Sequence, residues 1–177
     1  FWALDKSLAS ARHFPSINWL DSYSEYLEDV APWWHNATDR DWLGMRNKAM
    51  GLLSEESRLS QIVKLVGPDA LPDEQRLVLE TSRLLREGFL QQNAMDTIDA
   101  YSTVQKQIGM LALMLYFHDR AHDIIKMGAT ISVIHKLPVV DTLIRMKTQI
   151  PNDKLSMIDE IHEAIDAQMT QLEADYK

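Results

Sequence analysis

The 177-residue sequence contains no cysteine, which excludes disulfides, Cys-based zinc sites and thiol nucleophiles and is compatible with a reducing compartment. Glycine is scarce, with six residues, and none falls in a G-x-x-x-x-G-K-[ST], G-x-G-x-x-G or G-x-S-x-G arrangement. The chain therefore carries no recognisable phosphate-cradling loop and no nucleophile elbow. Positive charge is in deficit. A formal net charge of -8 repels phosphate backbones and anionic lipid, so neither nucleic acid nor a membrane surface is expected as a direct partner, whereas a basic protein surface is compatible. No apolar run approaches the ~18 residues needed to span a bilayer; the stretch 108–117 is short and contains Gly109. The opening Phe1-Trp2-Ala3-Leu4-Asp5 has neither an initiator Met nor the basic-then-apolar order of a signal peptide, and reads as the start of an excised piece.

What remains is the composition of an ordinary globular chain, 46% hydrophobic and 25% charged, long enough to bury a real core. Residues 1–24 mix aromatics with a Phe14-Pro15 step and show no sustained helical period, which predicts a strand and an ordered loop. Pro32-Trp33-Trp34 should interrupt the first helical stretch, and Thr38-x-x-Asp41 resembles a capping box opening a helix over 39–66. Its inward stripe is Trp42, Met45, Ala49, Leu52, Leu59, Ile62, Val63 and Val66. Gly67-Pro68 ends it, and the acidic connection 69–74 leads into a second helix with Leu77, Val78, Leu84, Leu85, Phe89 and Leu90 inward, fading near Asn93. Ser102-x-x-Gln105 predicts the start of the most apolar helix, stopping at Gly128. Two short helices around Pro138 and a last one with Leu155, Ile158, Ile161, Ile165, Met169 and Leu172 inward complete the pattern.

Three groups could carry chemistry. His118 and His122 lie on one helical face and could share a metal ion, but no third ligand is identifiable, and their charged neighbours suit a solvated helix end better. Asp159-x-x-His162 matches half of a di-metal motif whose second copy is missing. The aromatics Trp19, Tyr23, Tyr26, Trp33 and Trp34 read as filling the seam between a loop and a bundle in preference to a ligand-stacking platform. The nine methionines read as gap-fillers of a helical core.

Three stretches resemble one family. His13-Phe14-Pro15-Ser16-Ile17-Asn18-Trp19-Leu20 with Ser22-Tyr23-Ser24 resembles a signature of the catalytic subunit of A/V-type rotary ATP synthases, the alpha chain of the V-type enzymes. Phe89-Leu90-Gln91-Gln92-Asn93-Ala94 resembles a second, and Lys106-Gln107 after Asp99-x-Tyr101 agrees in order and spacing. The resemblance implies a mainly α fold: residues 1–24 as the end of an α/β nucleotide-binding domain, and 25–177 as a C-terminal helical bundle. It implies that the phosphate loop, catalytic Glu and magnesium site lie upstream, so that this fragment holds no catalytic residue and hydrolyses no ATP alone. ATP or ADP with Mg would belong to the intact subunit, with none expected on the fragment. The adenine would pack between Phe14 and Met95, the latter standing where relatives usually have Phe. The acidic turn with Asp69, Leu71, Asp73 and Glu74 would meet the central stalk. Partners would be the neighbouring non-catalytic subunit and the central-stalk subunits, in the cytoplasmic peripheral sector of a membrane-bound, ion-translocating complex. The alternative is a stand-alone helical protein-interaction module.

Overall fold

A computed structural model describes residues 1–176. Among them the chain is mainly α, with helices Lys6–Ser10 (α1), Leu27–Thr38 (α2), Trp42–Val66 (α3), Asp73–Leu85 (α4), Val104–Lys126 (α5), Ile131–His135 (α6), Pro138–Gln149 (α7) and Ser156–Ala174 (α8). Strands Ala3–Leu4 (β1) and Ile17–Asn18 (β2) pair antiparallel, with Ala3 opposite Asn18. A 3-10 turn, Pro68–Ala70, closes the α3–α4 hairpin, and a π-turn, Arg86–Leu90, prolongs α4.

The expected strand and loop at the N-terminus enclose a helical turn that hydrophobic periodicity could not reveal. Asp5 creates it locally, its Oδ1 accepting from the backbone N–H groups of Ser7 and Leu8 at 2.7 and 3.3 Å, the N-cap arrangement that satisfies orphan donors. Three boundaries also differ from expectation. Pro32 lies inside α2; its missing N–H leaves the carbonyl of Glu28, an exposed residue, open to solvent, so the helix continues. Thr38 ends that helix, its hydroxyl donating to the Trp34 carbonyl at 2.7 Å, and Asp41 caps α3 by accepting from Gly44 N–H at 2.9 Å. The break comes at Asp39, whose φ is +53°. At α5 the cap is Thr103, accepting from Lys106 N–H at 3.3 Å, one residue beyond the expected Ser102.

Helix α5 is the centre of the bundle, packing against α2, α3, α4, α7 and α8. It buries residues around most of its circumference, including Ile108, Leu111, Leu113, Met114, Leu115, Phe117, Ile124 and Ile125, as a helix surrounded by others must. It stops at Lys126, and Gly128 turns the chain away at φ +109°, a left-handed conformation in which a Cβ is strained. The outer helices present one stripe each. Those of α4 and α8 fall where the sequence puts them, on Leu77, Leu84 and Leu85 and on Ile158, Ile161, Ile165, Met169 and Leu172. On α3 the buried residues are Ala49, Leu53 and Leu59. Leu53, at i+4 from Ala49, is buried beside the expected Leu52, which packs against the core half-buried, whereas Val66, also expected inward, is exposed.

The aromatic seam is split. Trp34 stacks on Trp42 with ring centroids 5.1 Å apart, and with Trp19 they wall an apolar cavity of about 310 Å³ against α4 and α5. Tyr23, Tyr26 and Trp33 are exposed, so these three do not fill the seam as expected. Met110, Met114, Met146 and Met169 are buried core residues, whereas Met95 is 92% exposed.

Candidate functional site

The two signature blocks meet through main chain. After the π-turn the chain leaves helical geometry at Gln91, and the Gln92 N–H donates to the carbonyl of Phe14 at 2.8 Å. His13 is anchored beside it, its Nε2 lying 3.1 Å from the Arg86 carbonyl and its ring against Trp19. Downstream the loop folds back on itself. Buried Asp99 accepts from Asn93 N–H at 2.6 Å, Gln92 Nε2 donates to the Asp99 carbonyl at 2.8 Å, and Asp96 accepts from Ile98 and Asp99 N–H at 2.9 and 2.8 Å. Those backbone donors hold the Asp96 carboxyl below its ordinary range, because hydrogen bonds to the charged form favour it.

A cleft of about 330 Å³ opens at this junction, lined by Arg12, Phe14, Gln91, Gln92, Asn93, Lys147 and Thr148. Phe14 is 52% exposed at its edge. Met95, expected opposite Phe14, does not line it. The structure brings the loop that carries Met95 to Phe14 but does not pair the two side chains around this cleft. Lys147 is a lining residue that sequence reasoning missed. A lone lysine on a short amphipathic helix gives no signal, since its target is main chain distant in sequence.

At the other end of the molecule lies the acidic turn. Asp69 is exposed and 3.5 Å from Arg76, and Glu74 is exposed. Leu71 is only 8% exposed, contrary to its expected place on the outer surface: after the 3-10 turn its extended backbone carries the chain back under the hairpin. Asp73 is committed to a structural task, its Oδ1 accepting from the Ile131 N–H at 3.0 Å at the start of α6. The apolar residues presented near this tip are Leu65 and Val66.

The histidine pairs have other work. His118 Nδ1 sits 2.8 Å from Thr81 Oγ1, and its ring stacks on His122 at a centroid distance of 6.2 Å. Asp119 is paired with Lys48. His162 stacks on Tyr116 and lies 3.5 Å from Asp166, in a polar cluster joining α5 to α8, while Asp159 has no part in it. Among the described residues no group of three or more His, Asp or Glu could hold a metal ion.

Burial lowers the pKa of His118 from 6.5 to about 4, Asp119 opposing and Lys48 and His122 adding to the shift. The unfolded chain therefore binds the additional proton between about pH 6.5 and 4. The contribution of this neutral, partly buried histidine is present above pH 6.5 and lost as pH falls through that window, by up to about 2 kcal/mol once its partial exposure is discounted. Chemical denaturation at pH 7 and 4.5 should show a shallower acid loss for His118→Asn than for the parent chain. Equal losses would show that His118 does not drive the dependence.

Comparison with known proteins follows the same layout. Residues 31–135 match the model of the C-terminal domain of V and A type ATP synthase. The V-type ATP synthase alpha chain of Halothermothrix orenii is 48% identical over 100% of this chain and 30% of its own length. An A-type ATP synthase subunit of Methanopyrus kandleri is 50% identical over 97% of this chain and 29% of its own, and one of Pyrococcus horikoshii 48% over 92% and 17%. The chain thus spans less than a third of the length of these relatives. A family match covering the helices from α2 to α6, with near-half identity extending over both signature blocks, shows that the chain belongs to the family of C-terminal domains of V and A type ATP synthases.

Proposed function

We propose that this chain is the part of an A/V-type ATP synthase catalytic subunit that walls the adenine side of the nucleotide pocket and meets the central stalk. The observation that carries the reading is the junction of the two signature blocks, where the half-exposed ring of Phe14 borders a polar cleft and the Gln92 N–H holds its backbone. A ring held so can cover one face of a purine, an interaction worth about 1–3 kcal/mol per base. Met95, exposed on the same loop, is free to close on the other face as a polarisable thioether. The exposure of Phe1, Trp2, Leu4 and Tyr23, with Phe1 stacked on Tyr23, supports assigning residues 1–24 to a nucleotide-binding domain, since large apolar side chains exposed together suit a covering surface.

In this reading the intact complex couples ATP synthesis or hydrolysis to ion transport, with ATP or ADP and Mg held by the upstream domain. The non-catalytic subunit and the stalk subunits are its neighbours, in a cytoplasmic peripheral sector. No helix among the described residues is long and apolar enough to cross a membrane. The chain alone hydrolyses no ATP. The tip contact rests on exposed Asp69, Glu74, Leu65 and Val66 meeting a basic shaft, where complementary charge orients the encounter.

One experiment with two arms tests it in the assembled complex. Phe14→Ala should raise the KM for ATP about tenfold, and Asp69→Lys with Glu74→Lys should weaken coupling of hydrolysis to rotation. An unaltered KM removes the adenine role. Unaltered coupling reduces the tip to a helix-capping turn and favours an interaction module of another kind.

A further inference from the structure

The adenine-side loop is fastened to the bundle by two lysines in series. Where the π-turn ends, the N–H groups of Gln91, Gln92 and Met95 donate to Arg86 O, Phe14 O and Asn93 Oδ1, so the carbonyls of Glu87 and Gln91 lack the donors a continuing helix would supply. Lys147, from the last turn of α7, fills both positions: its Nζ donates to Glu87 O at 2.6 Å and to Gln91 O at 2.7 Å. The carbonyl of Lys147 itself, near the C-terminal end of α7, receives the Nζ of Lys106 on α5 at 2.7 Å. Each ammonium therefore caps the C-terminal end of a helical segment it does not belong to, where a cation also meets the negative end of the helix dipole.

The arrangement is costly enough to need an explanation. Lys106 is fully buried, and burial lowers the pKa of both lysines against the favourable pull of Asp99, Asp96 and Glu87. A methionine at either position would fill the space without desolvating a charge. The carboxylate that balances them, Asp99, is the one that accepts from the Asn93 N–H. The same few groups thus fix the loop on both sides of Gln92.

We propose that Lys147 and Lys106 are positioning residues for the nucleotide-side loop, holding the Phe14–Gln92 junction to α7 so that the loop follows that helix. This rests on the adenine reading of Phe14. Lys147 lines the cleft but gives its ammonium to the Glu87 and Gln91 carbonyls, and Lys106 is buried; both act by deciding where main chain from 87 to 93 lies. Because α7 packs on α8 and α5, a displacement of the bundle would reach the pocket through the lysine contacts with backbone carbonyls.

The test uses Lys147→Met, Lys106→Met and Lys147→Arg in the assembled complex, with amide exchange of the segment 91–99 and the KM and kcat for ATP as readouts. The expected result for Lys147→Met is faster exchange across 91–99 and a KM raised about tenfold, more than kcat falls, since a charge-assisted hydrogen bond of this kind is worth one to two factors of ten at most. Lys106→Met should move both readouts in the same direction and less far, and Lys147→Arg should restore part of each. Unchanged exchange in both methionine variants overturns the proposal. So does faster exchange with an unaltered KM when Phe14→Ala does raise KM, because the loop is then ordered by the lysines to no effect on the base. If Phe14→Ala leaves KM unaltered as well, the adenine reading has failed and the positioning role fails with it. Should Lys147→Met not fold, Lys106→Met and Lys147→Arg carry the same comparison.

Discussion

Gly88→Val is expected to destabilise the fold by about 3 kcal/mol or more, at the upper end of overpacking effects. Gly88 lies in the π-turn directly beneath α7. A Cβ at this position would stand 2.8 Å from the Leu143 carbonyl oxygen, 3.1 Å from Ile144 Cα and 2.7 Å from Met114 Cε. The methionine tip can turn aside, but the two backbone atoms can yield only by moving the helix. Gly88→Ala should therefore already destabilise, and combining it with Met114→Ala should recover little, because the backbone collision persists. Urea denaturation of the three variants measures this. Full recovery in the double variant would mean that the side chain, rather than the main chain of α7, sets the constraint. The substitution has a second consequence. Lys147 sits one helical turn beyond Leu143 and Ile144, so lifting α7 draws its Nζ away from Glu87 and Gln91, and exchange across 91–99 should rise in the glycine variants too.

Phe117→Ala should cost about 3–5 kcal/mol, the range for emptying a buried aromatic site. Phe117 is fully buried on α5 within the main core cluster, and because α5 contacts five other helices no single neighbour can collapse into the void. In a chain of this size such a loss lowers the thermal midpoint by roughly 8–15 °C, readable by circular dichroism. Phe117→Leu, which keeps most of the volume, should lose much less. A loss below about 1 kcal/mol for the alanine variant would show that the core relaxes around the site, contrary to the packing described.

The mainly α architecture was legible because amphipathic period depends on local spacing alone. Ile158, Ile161, Ile165, Met169 and Leu172 repeat every three or four residues, and such a stripe has one way to face a core. Caps were legible only to within a few residues, since Thr38 and Asp41, like Ser102 and Thr103, are chemically equivalent candidates. Which hydroxyl or carboxylate reaches an orphan N–H depends on where the backbone turns.

The site divides along the same line. Phe14 and the block 89–94 stand out in the sequence because their residues are specific and contiguous. The pairing of Phe14 O with Gln92 N–H and the reach of Lys147 to Glu87 and Gln91 join residues more than fifty positions apart, and they leave no periodic trace. Leu71 shows the reverse case, an apolar residue in an acidic turn that sequence places on the outside and the fold turns inward. Sequence by itself determined the family, the helices and the absence of a phosphate loop, because these rest on local spacing and residue identity. Only the tertiary structure decided which carbonyls were left open at the end of α4 and which lysine closed them. Hydrogen bonds between main chain and a distant ammonium are set by helix packing, and packing is a property of the folded whole.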